Sequence, residues 1–336
     1  VIKGLEKDYT YSPMAAYVGF SYETGKPTGL LDAKEINAKK APTTIQKSSD
    51  DNDKIIETER EVTYTIKGTV PYVPETDDNP YYHIMDRLTG AVYNVDANSI
   101  LNENVKIGDE ASYVYDKDHQ VVAIDASTGT EIIQNFDLDL SELLDDNLYA
   151  NQTITITYSA TVKDTVIGNE VVAGDGTNDG YNKYGSDNDK LIGGEVTLTK
   201  KNNKDTVLAG AEFVLVKKIA NEVSEGEEQT YTLKYATVDS NNMLTGWVDN
   251  EKDATTLTTD VNGTITVKGL DSTATYEFKE TKAPEGYSIN ETNAVINWGT
   301  PDSELSTPVQ GTSTMVDSEL AALPETGGMG TTLFTI

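Results

Sequence analysis

The chain has 336 residues, of which 56 are acidic and 26 basic, for a formal net charge of -30, with no cysteine and two histidines. Such a balance argues against holding nucleic acid or an anionic membrane surface through bulk charge. Without cysteine there are neither disulfides nor thiolate metal sites, two histidines leave little material for a zinc centre, and no cofactor or metal is implied.

The length accommodates two or three domains, and the pattern along it is almost wholly β. Val1 is not an initiator Met, and no basic stretch followed by an apolar run and a small-residue cleavage site opens the chain, so a longer secreted precursor is expected. Residues 1–43 are too short for a domain and read as the last strands of one, ending at the basic pair Lys39-Lys40 and at Ala41-Pro42. A first sandwich is expected over residues 44–190. Strict alternation of apolar and polar residues marks Val62 to Ile66 and the run Ile154, Ile156, Tyr158, Ala160, Val162 as half-buried antiparallel strands. Asp50-Asp51-Asn52-Asp53 reads as a solvated turn without the ligand spacing of a calcium loop, and a short helix is expected around Leu140 to Leu148. The Gly, Asn and Asp run from Gly174 to Asp189 is the strongest break in composition and reads as turn. Past it, Val196 to Lys200 alternates again and opens a second sandwich over residues 191–322. The last stretch, 323–336, runs from Leu323-Pro324-Glu325-Thr326-Gly327 into small and increasingly apolar residues.

Period-two reading also exposes charges that point inward, which is costly unless they are paired or neutralised. Lys47 shares a face with Ile45. Lys200 shares one with Val196 and Leu198, Glu280 with Tyr276 and Phe278, and Asp317 with Met315. Burial drives a lysine and a carboxyl each toward the neutral form. A neutral amine is a nucleophile, and a protonated carboxyl can polarise a neighbouring carbonyl, so proximity would allow a lysine isopeptide bond to form once, without an outside enzyme. The competing reading is a set of buried ion pairs, or strand-end lysines reaching solvent.

Tyr276-Glu277-Phe278-Lys279-Glu280-Thr281-Lys282-Ala283-Pro284-Glu285-Gly286-Tyr287 resembles the E-box, YxLxETxAPxGY, of sortase-assembled pilins and Cna B-type domains, with Phe278 in place of the Leu. The resemblance implies tandem immunoglobulin-like β-sandwiches, Cna A-like and then Cna B-type. It implies that Glu280 promotes an internal bond from Lys200 to Asp317, where the family more often has Asn. In the Cna A-like domain the match implies Lys47 as nucleophile and Asp86, inward with Tyr82 and Ile84, as the proton-sharing carboxyl. The acceptor is expected at Asn178, with Asn182 as the alternative. Leu323, Pro324, Glu325, Thr326 and Gly327 look like a sortase sorting signal, followed by the opening of a membrane segment whose full span would need ~20 apolar residues. Ile36-Asn37-Ala38-Lys39 occupies the place of the pilin-lysine motif although its Trp and Tyr-Pro are absent, which makes Lys39 the expected polymerisation amine and Lys40 the alternative.

The function implied is that of a pilus shaft subunit, joined head to tail by Thr326-to-Lys39 bonds. Its implied partners are a sortase, neighbouring subunits, peptidoglycan through anchoring and a host matrix or cell-surface ligand; it would be anchored at the cell wall. The alternative is a minor pilin or a monomeric wall-anchored adhesin. Neither role makes the chain a conventional enzyme.

Overall fold

A computed structural model of the chain describes residues 9–11, 19–31, 40–42, 44–73, 80–94, 105–108, 120–121, 132–174, 184–223, 226 and 228–320. Two compact units divide at Gly194/Glu195, with Gly269–Asp271 and Pro301–Val309 grouped with the first. Four short strands come first: β1 (Tyr9–Tyr11), β2 (Phe20–Glu23), β3 (Lys26–Leu31) and β4 (Lys40–Pro42). β1 pairs antiparallel with β4, and β2 with β3. Thr24 and Gly25 turn the hairpin with φ of 47° and 80°, the left-handed pair whose twist suits a two-residue connection.

The first sandwich is built from β5 (Ile45–Ser49), β6 (Glu61–Thr69), β7 (His83–Thr89), β8 (Ala91–Tyr93), β9 (Val105–Ile107), β10 (Gln120–Val121), β11 (Ile133–Asp139), β12 (Thr153–Val162), β13 (Val166–Gly174) and β14 (Gly185–Ile192). One sheet has the order β5-β6-β12-β8, with β9 also on β12; the other runs β10-β11-β7-β13-β14. The alternation read along β12 is realised: Ile154, Ile156, Tyr158, Ala160 and Val162 are buried and the residues between them are not. Register then sets which inward side chains meet. Lys47 lies opposite Ile66, Tyr64 opposite Tyr158 and Asp86 opposite Val171. One core gathers side chains from both sheets, Ile66 and Ile156 from the first and Ile84, Phe136 and Val171 from the second. Each such side chain contributes ~1.5–3 kcal/mol on burial.

The helical stretch expected near Leu140 is a 3-10 segment, Ser141–Asn147, that buries Leu143 and Leu144 and is broken at Asp146, whose φ is 52°. The Gly174 to Asp189 run is not turn throughout, since its end, with the residues up to Ile192, forms the edge strand β14 on β13. Local composition is overridden there because the two inward carboxylates find donors: Asp187 accepts from the Lys47 backbone N–H (2.7 Å) and Asp189 pairs with Lys54 (2.9 Å). The pairing of Val166 with Ile192 also carries the first unit to Gly194, a few residues past the boundary read from composition.

The second sandwich comprises β15 (Gly194–Asn202), β16 (Glu212–Ala220), β17 (Tyr231–Val238), β18 (Leu244–Val248), β19 (Leu257–Thr258), β20 (Thr264–Leu270), β21 (Thr275–Lys282), β22 (Ala294–Val295), β23 (Asn297–Trp298) and β24 (Val309–Asp317). Its sheets have the orders β20-β15-β24-β23 and β18-β17-β16-β21-β22, with β19 on β16. β15 and β24, the first and last strands, are neighbours. Both alternate strictly between inward and outward residues, which commits Lys200 and Asp317 to the same interior as Leu198 and Met315.

Gly90, between β7 and β8, has φ of 73°, and a Cβ there would sit 2.3 Å from the Val166 carbonyl oxygen. Gly90→Ala is expected to cost at least about 1–3 kcal/mol from backbone conformation alone, read as a lower denaturant midpoint for the first sandwich. An unchanged midpoint would contradict this packing.

Candidate functional site

In the second sandwich three ionisable side chains converge in the core. Lys200 comes from β15, Asp317 from the adjacent β24 and Glu280 from β21 in the facing sheet. Lys200 is fully excluded from solvent (0 %), and Asp317 and Glu280 are 1 % and 3 % exposed. Lys200 Nζ donates to Asp317 Oδ1 and lies 2.8 Å from Glu280 Oε1. Its other face rests on the Phe213 ring, 5.4 Å from the centroid. The Asn290 backbone N–H donates to Glu280 Oε2 (2.7 Å) and fixes that carboxyl.

The Lys200 backbone is pinned on both sides. Its N–H donates to the Gly263 carbonyl (2.7 Å), and its carbonyl accepts from the Leu208 N–H (2.9 Å). A Cβ on Gly263, whose φ is 70°, would lie 2.7 Å from the Lys200 carbonyl oxygen, so glycine is required for that approach. Burial pushes the Asp317 carboxyl above its ordinary range. Lys200 pulls it back, and the Glu280 carboxylate adds to the rise. Two adjacent carboxyls that share a proton in a dry core cannot both ionise cheaply, so a neutral, protonated Asp317 is accessible beside the amine.

The first sandwich holds a second cluster made differently. Lys47 on β5 extends between the sheets and meets Asp86 on β7 of the opposite sheet, with Nζ donating to Asp86 Oδ2. Tyr158 Oη, from β12, accepts from Lys47 Nζ (2.6 Å) and donates to Asp86 Oδ2 (2.9 Å). Tyr93 Oη donates to Asp86 Oδ1 (2.6 Å). Lys47 Nζ also lies over the Tyr158 and Tyr64 rings, 5.2 and 5.6 Å from their centroids. Burial pushes the Lys47 amine below its ordinary value, against the upward pull of Asp86 and of the more distant Asp189 and Asp187. Burial first, and the Asp86 carboxylate second, hold the Tyr93 and Tyr158 hydroxyls well above theirs.

Tyr93 and Asn169 were not among the residues read from the sequence, and Tyr158 was read only as an inward strand residue. Asn169 on β13 is 1 % exposed, and its Nδ2 donates to Tyr158 Oη (2.7 Å). Its Oδ1 is buried without a hydrogen-bond partner. The signal for it was present, because Ile167, Asn169, Val171 and Ala173 alternate inward along β13, but a single Asn on an apolar face is less conspicuous than a charge. Asn178, Asn182, Lys39 and the segment Leu323, Pro324, Glu325, Thr326, Gly327 lie outside the described residues. Lys40 belongs to β4. The acidic turn serves local structure: Asp50 accepts from the Thr63 N–H (3.0 Å), Asp51 pairs with Arg60 (2.9 Å) and Asp53 accepts from the Ile55 N–H (3.0 Å).

Residues 194–307 match the family described as SpaA, prealbumin-like fold domain. The match includes Lys200 and Glu280 and stops before Asp317. No curated protein sequence matches the chain. Among solved structures, the group B streptococcus pilus 2b backbone protein is similar with a TM-score of 0.52 and 19 % identity, over 81 % of this chain and 97 % of that one. The full-length RrgB pilus protein of Streptococcus pneumoniae is similar with a TM-score of 0.56 and 15 % identity, over 86 % of this chain and 74 % of that one. A second structure of the RrgB pilus backbone gives 0.51 and 14 %, over 83 % and 100 %. The chain is an all-β protein of tandem sandwiches, and its fold is the one these pilus backbone proteins share.

The direction of the Lys47 shift sets a pH dependence. Asp86→Asn keeps the shape of the side chain and removes the carboxylate that supports the charged amine. The unfolded chain then holds the lysine proton more tightly than the folded one, so protonation favours unfolding. Stability should rise as pH climbs from the depressed folded value toward the ordinary 10.5. The melting temperature of the Asp86→Asn protein, minus that of the same protein with Lys47→Met added, is expected to increase from neutral to alkaline pH; a flat difference would mean that Lys47 is solvated.

Proposed function

We propose that the chain is the shaft-forming subunit of a sortase-polymerised pilus on a Gram-positive cell surface, and that each sandwich closes on itself with an isopeptide bond. The observation that carries this reading is the placement of an inward lysine beside a carboxyl in both cores, each with an acyl acceptor at hand: Asp317 touches Lys200, and Asn169 is bonded to the same Tyr158 hydroxyl as Lys47. Similarity of fold to pilus backbone proteins supports it.

In the second sandwich the neutral Lys200 amine attacks the Asp317 carboxyl carbon while Glu280 donates a hydrogen bond. The new C–N bond forms, and the acid's hydroxyl leaves as water. In the first, Lys47 passes a proton to Asp86 and attacks the Asn169 carboxamide, Asp86 lends that proton to the carbonyl oxygen and recovers it, and ammonia leaves. The acceptor is therefore Asn169 in this reading and not Asn178 or Asn182. Each reaction happens once per molecule, with its own side chains consumed. Burial favours the neutral forms of the Lys47 amine and the Asp317 carboxyl, and proximity makes each attack effectively unimolecular. Lys200 and Asp317 are 117 positions apart. By analogy with a disulfide closing such a loop, the link would constrain the unfolded chain by about 5 kcal/mol.

Polymerisation is assigned to the ends. A sortase cleaves between Thr326 and Gly327 and passes the Thr326 carbonyl to Lys39 of the next subunit; the terminal subunit is transferred to peptidoglycan. Residues 1–43 would carry the acceptor lysine, residues 44–190 and 191–322 the two self-linked sandwiches, and residues 323–336 the sorting signal.

Intact-mass measurement with peptide mapping tests the internal bonds. The folded protein is expected to be lighter than its sequence by one ammonia plus one water, with linked peptides at Lys47/Asn169 and Lys200/Asp317. Glu280→Gln should restore only the water, and Asp86→Asn only the ammonia. A folded protein of full mass would reduce both clusters to buried ion pairs. Incubation with the partner sortase tests the joint: Lys39→Ala should abolish the ladder of covalent multimers, and Lys40→Ala should leave it intact.

A further inference from the structure

In the first cluster one hydroxyl touches both nitrogens of the proposed reaction. Tyr158 Oη is 2.6 Å from Lys47 Nζ, the attacking atom, and 2.7 Å from Asn169 Nδ2, the leaving atom, and it donates to Asp86 Oδ2 at 2.9 Å. Aromatic neighbours hold its ring on several sides: Tyr64 at 5.6 Å, Tyr93 at 5.5 Å and Phe136 at 5.4 Å between centroids. The hydroxyl can therefore turn about its C–O bond while the ring stays in place.

We propose that Tyr158 is a catalytic residue of the first sandwich, a proton relay from the attacking Lys47 amine to the departing Asn169 nitrogen. The inference rests on the self-crosslinking reading and adds a step that this reading leaves unassigned. Ammonia is a poor leaving group unless its nitrogen is protonated, and neutral Asn169 has no proton to spare. Lys47 Nζ has one too many as soon as it bonds to carbon. On attack, the carbonyl electron pair moves to Oδ1, which has no competing partner and takes the Asp86 proton. Nζ, now positively charged, passes a proton to Tyr158 Oη as Tyr158 passes its own to Nδ2, which has lost its amide conjugation and become basic. The C–Nδ2 bond breaks with its electron pair on nitrogen, ammonia departs, and Oδ1 returns its proton to Asp86. Tyr158 and Asp86 finish as they began, and no oxidant or further reactant is needed. Burial, which holds the Tyr158 hydroxyl protonated across the neutral range, suits a group that must both give and take a proton.

The second sandwich sharpens the contrast. Its leaving group is a carboxylic hydroxyl, which departs as water with a proton from the neighbouring carboxyl, and the face of its lysine is covered by Phe213, a ring with no hydroxyl.

The test follows the full chain by mass spectrometry at intervals after cell-free synthesis, scoring the ammonia loss at Lys47/Asn169 and the water loss at Lys200/Asp317 separately. Tyr158→Phe keeps the ring packing and is expected to slow the ammonia loss at least ~10-fold while the water loss keeps its wild-type rate, which reports on the second sandwich, and protease resistance of the first sandwich, which reports that it folds, stays at the wild-type level. Tyr93→Phe removes a hydrogen bond to Asp86 without touching either nitrogen and should slow the ammonia loss less than Tyr158→Phe does. An ammonia loss as fast in Tyr158→Phe as in wild type would overturn the relay and leave the crosslink standing. A wild-type chain that never loses ammonia would overturn the crosslink itself, and the relay with it. Should Tyr158→Phe fail to fold, 3,5-difluorotyrosine at position 158 retains shape and hydroxyl and lowers its proton affinity. The relay then requires the pH profile of ammonia loss to bend at lower pH than in wild type, and an unmoved profile would sink it.

Discussion

Everything distinctive in this protein depends on placing a lysine amine inside a dry β-sandwich core. An isolated ammonium there would cost several kcal/mol even after relaxation, so the surroundings must either neutralise it or pair it. Both cores do so with a carboxyl at contact distance and an aromatic ring over the amine. An arrangement that stopped at an ion pair would be a weak source of stability, since desolvation offsets most of the attraction. The proposed conversion to an amide would remove both charges from the core and replace a marginal interaction with a covalent one. The buried charge is, on this view, the ground state of a reaction.

The two clusters reach that arrangement by different geometry. In the second sandwich the amine and its acceptor stand on neighbouring strands of one sheet, and the assisting carboxyl comes from the sheet across the core. In the first, the amine comes from one sheet and both the assisting carboxyl and the acceptor from the other. A bond at Lys200 would staple the first strand of its domain to the last, whereas a bond at Lys47 would staple two sheets together. A sandwich resists separation of its sheets only through side-chain packing, so the inter-sheet bond would act where no hydrogen-bond ladder does.

The proposed chemistry would also account for the difference in polarity between the two neighbourhoods. A carboxylic acid acceptor brings its own hydroxyl, and Lys200 needs little beyond Glu280 and a fixed backbone, which Gly263 allows by letting the neighbouring chain approach. A carboxamide acceptor must have its nitrogen protonated before it can leave. The first core accordingly carries two tyrosine hydroxyls on Asp86, one of which also contacts Lys47 and Asn169. Polar groups of that number in a core are tolerated because nearly all of them have partners; Asn169 Oδ1 and Tyr64 Oη stand among those that do not.

Period-two alternation was enough to single out Lys47, Lys200, Glu280 and Asp317, because a charge on an apolar face is conspicuous and strands keep strict register with their own pattern; Asp86 was implied by the family resemblance. Lys47, Asp86, Lys200, Glu280 and Asp317 all point inward as the alternation requires. Sequence by itself also determined the all-β class, the separation into sandwiches and the turn chemistry between strands, since these follow from local periodicity and from Gly, Asn and Asp. Two things were decided only by tertiary structure. The polar stretch ending at Ile192 became a strand because β13 and two donors, the Lys47 N–H and the Lys54 amine, were there to satisfy it. The placement of Asn169 on the same Tyr158 hydroxyl as Lys47 depended on how two sheets face each other across a core. No local pattern encodes that distance, because it is set by the packing of side chains far apart in the chain.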